Sequence, residues 1–477
     1  MILLQPFLAC LLLIFWCVKF LKKGSNSEKG IREVPISGFA KYVFLNERPE
    51  LILTKVSKKY GDVFFMKLGS IQIVSCCGFK AVKAMLSNKT MCDRPTSSFL
   101  QIRDPQKKLV TGLMSTNGKD WERLRVLVAK NLKVASEKLE EIFNRQIQKL
   151  LRNIELKHEI IDVHLLFPEF VLRILWEVLT SEEMQENDEE FQNFIAKNRS
   201  FFRNGNLLTN ILFFTPSLQW TLKLFPSYRR FSEANTVLQK MVTKVVQRRK
   251  EAGYNSTCFI DSFIRGMSEQ SRKAFNEQTL IVTVMDIFNA GAESTGNAIG
   301  FAMLRLLHYP NYYQRILEEI RDDQKVNSTK IQNRLPVFEA FLKEVMRISA
   351  VAPLSLPHSA SEDTYLNGYG VIKKGCIAVA NIRSVHRDPV QWKCPEDFLP
   401  ERHLINGRIS NSPGFIPYGL GKRSCPGEYI SQYIFKNTIR RILDCFSISP
   451  LGLLPSPEPI RGFTLSPQPF SVVFSKI

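Results

Sequence analysis

Met1 to Val18 is almost wholly apolar, with Gln5 as its one polar side chain, and Lys19, Lys22 and Lys23 follow directly. A helix needs about 20 such residues to cross a bilayer. A cleaved leader would open on positive charge and close on small residues, and neither is present. Residues 1–21 are therefore expected to anchor the chain, with the lysines holding the body on the cytosolic side. Residues 22–40 read as a linker. Alternation over Val63 to Leu68 and again over Ile71 to Val74 predicts a strand hairpin. From about residue 119 the pattern is mainly helical. Its longest run is Leu280 to Leu307, and Tyr429 to Ile442 is a shorter apolar helix near the end. Between them, Phe201, Phe202, Trp220, Leu224 and Phe225 mark an aromatic-rich stretch broken by Pro216 and Pro226. Helix core is the plain reading of that stretch.

The 477 residues are 44% hydrophobic and 23% charged, as in a globular protein with a sizeable core. The net charge of +20 is spread along the chain, and no nucleic-acid motif accompanies it. A membrane surface or an acidic protein partner fits it better than nucleic acid. The ten cysteines show no paired spacing, so reduced thiols are expected.

One of those thiols stands apart. Pro417-Tyr418-Gly419-Leu420-Gly421-Lys422-Arg423-Ser424-Cys425-Pro426-Gly427 packs glycines, prolines and a cysteine just ahead of the last apolar helix. Glycines let the backbone turn sharply and approach a flat object closely. A helix start favours a thiolate, and such a thiolate is a good axial ligand for haem iron. An inert cysteine in a turn is the ordinary alternative. The stretch resembles the ligand loop of the cytochrome P-450 family, Phe-x-x-Gly-x-Arg-x-Cys-x-Gly. It matches at Gly421, Arg423, Cys425 and Gly427, with Tyr418 where the family has Phe.

Five further stretches carry the resemblance in the family's order. Trp121 and Arg125 lie four apart on one helix face. Ala290-Gly291-Ala292-Glu293-Ser294-Thr295 resembles the oxygen-groove motif, with Ser294 at the usual threonine position. Its Gly291 reads either as a groove or as a helix-packing notch. Glu344 and Arg347 form an i,i+3 pair, and Arg402 in Pro400-Glu401-Arg402 would complete the family's structural triad, followed by His403 in place of an aromatic residue. Gly462 to Leu465 resembles the last turn of the cavity, and the aromatic-rich stretch resembles the lid over the substrate cavity, a reading level with plain helix core.

The resemblance implies a mainly α fold with a smaller β-rich part and haem b between the long central helix and the cysteine loop, residues 41–477 forming the haem-binding monooxygenase domain. Cys425 would bind the iron. Trp121, Arg125, Arg423, His358 and Arg94 would meet the propionates, and Tyr418, Gly419 and Gly427 would flank the ring. Glu293, Ser294 and Thr295 would serve proton delivery, with Asn289, Ala290, Leu354 and Phe463 lining the substrate pocket. It also implies O₂ and NADPH as co-substrates, NADPH–cytochrome P-450 reductase and cytochrome b5 as electron partners, a lipophilic substrate (fatty acid, sterol or xenobiotic) and a single-pass place in the endoplasmic reticulum membrane. Lys422 and Arg440 are among the basic residues that would suit an acidic reductase. A member that rearranges lipid hydroperoxides without taking electrons, and a haem carrier or sensor, are the alternatives.

Overall fold

The computed structural model describes residues 30–35, 47–68, 71–97, 102–103, 112–157, 159–160, 163–185, 188–203, 216–267, 275–325 and 335–477. The expected anchor over residues 1–21 lies outside these. Among the described residues no helix is long and apolar enough to cross a membrane. Strand β1 (Arg32–Val34) falls inside the stretch expected to be linker. It pairs in parallel with β2 (Val63–Leu68), so the folded body begins before residue 41.

The body is mainly helical. Helix α1 (Pro49–Tyr60) starts on a proline, whose fixed φ and missing N–H suit a first turn. The hairpin of β2 and β3 (Ile71–Cys76) forms as the alternation predicts. Its two faces bury different sets: Val63, Phe65 and Val74 pack on one side, Phe64 and Met66 on the other. Helix α2 (Gly78–Leu86) follows, then α3 (Gly118–Ala135), α4 (Leu139–Lys157), the short strand β4 (Glu159–Ile160), α5 (Val163–Thr180), α6 (Glu189–Arg203), α7 (Pro226–Glu251), α8 (Phe259–Gly266) and the long α9 (Glu277–His308). Asn276 starts α9 with a capping box: its side chain accepts the Thr279 N–H at 2.9 Å. Helices α10 (Pro310–Lys325) and α11 (Pro336–Ser349) lead into β5 (His358–Ser359), β6 (Thr364–Leu366), β7 (Gly370–Ile372) and β8 (Ile377–Ala380). The main sheet has the order β1-β2-β3-β8-β5. The chain closes with α12 (Ile382–His386), the β9 (Leu404–Ile405) and β10 (Arg408–Ile409) pair, α13 (Glu428–Cys445), and β11 (Phe446–Leu451) paired with β12 (Ser471–Lys476).

Helix α9 runs through the largest core, apolar on nearly every side, as a helix enclosed by others must be. Its glycines set how closely α5 approaches. A Cβ on Gly291 would lie 2.4 Å from Leu175 Cδ1, and one on Gly296 would lie 2.5 Å from Pro168 Cα and 2.6 Å from Pro168 N. Of the two readings of Gly291, the packing notch is the one that its missing Cβ serves. Gly296→Ala has backbone to displace, whereas Gly291→Ala meets only the tip of a leucine. Gly296→Ala should therefore cost about 1–3 kcal/mol and Gly291→Ala clearly less, measured by thermal unfolding. Equal costs would contradict this packing.

Candidate active site

The cysteine loop joins β10 to α13. Gly419 (φ +76°) and Gly421 (φ +73°) both take the left-handed conformation that other residues rarely adopt. A Cβ at Gly421 would also fall 2.0 Å from Leu86 O, so only glycine lets the loop rest on the end of α2. The loop is closed by Gly419 N–H to Ile416 O at 3.0 Å, Ser424 N–H to Gly421 O at 3.1 Å and Cys425 N–H to Tyr418 O at 2.9 Å. Arg125 clamps it from α3, donating to Ser424 O at 2.8 Å.

Behind the loop, Glu344 and Arg347 are both fully buried. The carboxylate accepts five bonds. Arg347 gives two at 2.7 Å, Arg402 Nε one at 3.0 Å, the Leu399 N–H one at 2.8 Å and His403 Nε2 one at 3.0 Å. Arg402 is the expected third member, and His403 adds a fourth that the family pattern does not supply. Arg347 further donates to His386 O at 2.6 Å, and His386 Nε2 accepts the Ile416 N–H at 3.1 Å. The network thus reaches the first residues of the cysteine loop through one histidine.

These groups set an acid sensitivity. The bonds from Arg347 and His403 outweigh burial and hold Glu344 down at about 2, against an ordinary 4.5. Burial, then the positive charges of Arg347 and Arg387, pushes His386 down from 6.5 to about 3. Both folded values are depressed. Each contribution is therefore complete above the unfolded value and is lost as pH falls through the folded one. Stability should fall from pH 6.5 towards 3, with Glu344 adding its loss between 4.5 and 2. His386→Gln keeps an acceptor for Ile416 but does not titrate. It should flatten the upper part of the curve in a thermal-unfolding series against pH, and an unchanged curve would contradict the assignment.

One cavity of about 500 Å³ gathers the remaining expected residues: Cys425, Tyr418, Gly419, Gly427, Arg423, Trp121, Arg125, Arg94 and His358, with Glu293, Ser294, Thr295, Asn289, Ala290, Leu354 and Phe463. Glu344, Arg347 and Arg402 stand outside it, as a structural network should. The Cys425 thiol opens onto the cavity. Burial pushes it up, and the Gly427 N–H and the Arg125 charge oppose this without overcoming it. The helix start therefore does not hold a thiolate unaided. A cation at the sulfur would, and iron is such a cation.

The rest of the lining suits the anionic side of a haem. A Cβ at Gly427 would meet no atom within 4 Å, which leaves room beside the sulfur. Burial lowers Arg94 to about 10, and burial with the Arg94 charge lowers Arg423 to about 8, so carboxylates near them would relieve both. Arg94 donates to Leu356 O and Pro357 O, while its buried Nε–H has no hydrogen-bond partner among the described residues. Arg423 is more committed than expected. It stacks 3.8 Å above Trp121 and donates to Cys92 O, Leu113 O and Thr116 O at 2.8, 3.2 and 2.7 Å. His358 donates from Nδ1 to Met91 O at 2.7 Å, and burial with the nearby Arg94 keeps it neutral. A propionate at His358 would require it to take up a second proton. Arg94 and Arg125 are thus better placed for that role.

On α9, Glu293 is buried and Ser294 faces the cavity, its hydroxyl donating to Ala290 O at 2.8 Å. Thr295 instead meets Ser431 of α13 at 2.9 Å, and Tyr418 OH lies 3.4 Å from the same Ser431 oxygen. The Tyr418 hydroxyl is thereby held by α13. Two contributors, Asp286 and Phe231, went unread in the sequence. Asp286 forms a buried ion pair with Arg103 and accepts the Met114 N–H at 2.8 Å, which ties two loop residues to the cavity roof. Asp286 lies two turns before Glu293, a spacing that could have flagged it. Phe202 and Phe231 also line the cavity, and Phe463 N–H bonds to Phe202 O at 2.9 Å. The aromatic stretch is divided between core and surface, with Phe202 buried and Trp220 and Leu224 exposed, while residues 204–215 lie outside the described set. Arg440 is no free docking charge, since it pairs with Asp323 at 3.0 Å and Asp444 at 2.8 Å.

The chain is similar along most of its length to known proteins. The chain is 27% identical to the farnesoate epoxidase of Bombyx mori over 98% of its length and 97% of that protein's. It is 26% identical to cytochrome P-450 2J1 of Oryctolagus cuniculus, covering 88% of this chain and 86% of that one. It is also 26% identical to cytochrome P-450 2U1 of Homo sapiens, covering 90% and 81%. The family profile for cytochrome P-450 matches residues 30–474. A match that spans nearly the whole chain shows the family: the chain belongs to the cytochrome P-450 family, the haem-dependent monooxygenases.

Proposed function

We propose that this chain inserts one oxygen atom from O₂ into a lipophilic substrate at the membrane of the endoplasmic reticulum, with electrons from NADPH delivered by a flavoprotein reductase. The observation that carries this is the opening of Cys425 and of Glu293 and Ser294 onto one cavity. When bound, haem supplies the activation of oxygen. The chain supplies the setting. Cys425 offers its sulfur to the iron. Arg94 and Arg125 hold carboxylates at the cavity edge. Glu293 and the Ser294 hydroxyl deliver protons into the cavity through water. Leu354, Phe202 and Phe463 keep water from the substrate. The full chain, reconstituted with a reductase, should consume NADPH and O₂ and yield a hydroxylated or epoxidised product from a panel of fatty acids, sterols and xenobiotics. Turnover of a lipid hydroperoxide without NADPH, and no oxygen uptake with any of the panel, would overturn it in favour of the rearranging alternative.

A further inference from the structure

We propose that Ser456 is a phosphorylation site for a proline-directed protein kinase, and that Arg48 receives the added phosphate. The proposal is independent of the reaction assigned above.

Ser456 lies in Pro455-Ser456-Pro457-Glu458-Pro459, on the way from β11 to Phe463 at the cavity. Pro455, Pro457 and Pro459 lack N–H donors, which keeps the stretch out of helix and ladder. It lies outside every helix and strand, and Ser456 is exposed. Side chains grip its backbone through carbonyls: His308 at Pro455 O at 2.8 Å, Arg305 at Pro457 O at 3.4 Å and Arg48 at Pro459 O at 3.3 Å. The last two bonds are long, so the stretch opens locally at low cost. A kinase cleft takes an acceptor segment that is exposed and irregular, and the proline after the serine is the feature a proline-directed kinase reads.

The other described Ser–Pro pairs are less available. Ser449 is held in the β11 ladder opposite Val473. Ser466 is buried and bridged to Ile460. Ser412 is half-buried, and its hydroxyl accepts the Gly414 N–H at 3.2 Å in the turn before the cysteine loop.

Cations wait where the phosphate would sit. Ser456 Oγ points along the chain and accepts the Glu458 N–H at 3.2 Å. Arg48 Nη2 lies 3.3 Å from the carboxylate of that same Glu458, which is 63% exposed. A phosphoserine carries about −2 charge at neutral pH and three strong acceptor oxygens, so it takes Arg48 over from a solvated carboxylate. Buried Glu50 keeps its own contact with Arg48 Nε at 3.2 Å, and the phosphate needs only the Nη atoms. Arg383 stands within reach of the charges of Arg48 and Glu458, and its side chain makes no hydrogen bond or ion pair among the described residues. In the transfer, the bond from the γ-phosphorus of ATP to its bridging oxygen breaks and a bond from that phosphorus to Ser456 Oγ forms. ADP leaves, and the hydroxyl proton goes to the kinase's carboxylate base.

The test incubates the full-length holoenzyme with ATP and a purified mitogen-activated protein kinase and follows intact and fragment masses. One phosphate should appear, on Ser456. Ser456→Ala should take up none, and Pro457→Ala should take it up about tenfold more slowly. The phosphorylated chain should unfold about 1–3 °C later than the unmodified one at low salt, and most of that gain should vanish in about 1 M sodium chloride. An unchanged carbon monoxide spectrum shows that the chain tested is folded with its haem. No uptake by that folded chain, uptake at Ser412, Ser449 or Ser466 instead, a rate indifferent to Pro457→Ala, or unfolding that is not delayed by the phosphate would overturn the proposal.

Discussion

Arg347→Ala should destabilise the protein by about 3–5 kcal/mol, and most of the expressed chain should fail to retain haem. Arg347 is wholly buried and meets Glu344 through two nitrogens while donating to His386, Pro395 and Asp397 carbonyls. Its removal leaves a buried carboxylate short of its chief partner and three carbonyls short of donors. Removing one partner of a buried pair costs far more than the intact pair contributes. The loss also travels: His386 would no longer be fixed, and with it the Ile416 N–H that begins the cysteine loop. Lysine is no substitute, since one ammonium cannot reproduce the planar fork of a guanidinium. Denaturant unfolding of native chain and variant, with haem content measured on the same samples, checks this. A loss under about 1 kcal/mol would show the network to be dispensable.

Cys425→Ser should abolish NADPH-supported turnover while leaving the fold close to native. The side chain opens onto the cavity and fills no core space, so substitutions there should change stability by no more than about 0.5 kcal/mol. The backbone bond from Cys425 N–H to Tyr418 O and the Arg125 bond to Ser424 O do not depend on the sulfur. A serine hydroxyl does not ionise near neutral pH and offers iron a far poorer anion. Product formation should drop to the level without enzyme, with thermal unfolding of the haem-free forms superimposable. Residual turnover in the serine variant would remove Cys425 from the mechanism.

Much of the architecture is legible in residue pattern because the relevant forces are local. The β2–β3 hairpin follows from alternation, α9 from a long apolar run, and the cysteine loop from glycines whose φ values no other residue takes easily. The site is legible only as a set of residues facing one place. What each does there depends on partners far off in sequence. Arg423 is expected at a propionate, and its nitrogens also hold the carbonyls of residues 92, 113 and 116, which the segment ahead of α3 brings beside it. Thr295 follows Ser294 by one residue, but one step along a helix turns the side chain by about 100°, enough to aim its hydroxyl at Ser431 instead of along that of Ser294. His403 replaces an aromatic side chain and adds a fourth member to the triad, because its ring offers an N–H to Glu344. The hydrogen-bonded Asn235–Asn289 pair between α7 and α9 could not be foreseen at all, since nothing in either helix announces the other.

The account depends on the Cys425 sulfur as the fifth ligand of a haem iron. The most direct test is the absorption spectrum of the purified full-length chain, reduced and exposed to carbon monoxide, beside that of Cys425→Ser. The account predicts the far-red-shifted Soret band of a thiolate-ligated haem in the native chain and its absence in the variant. A native band like that of a histidine-ligated haem, or no haem in the purified chain, would contradict it.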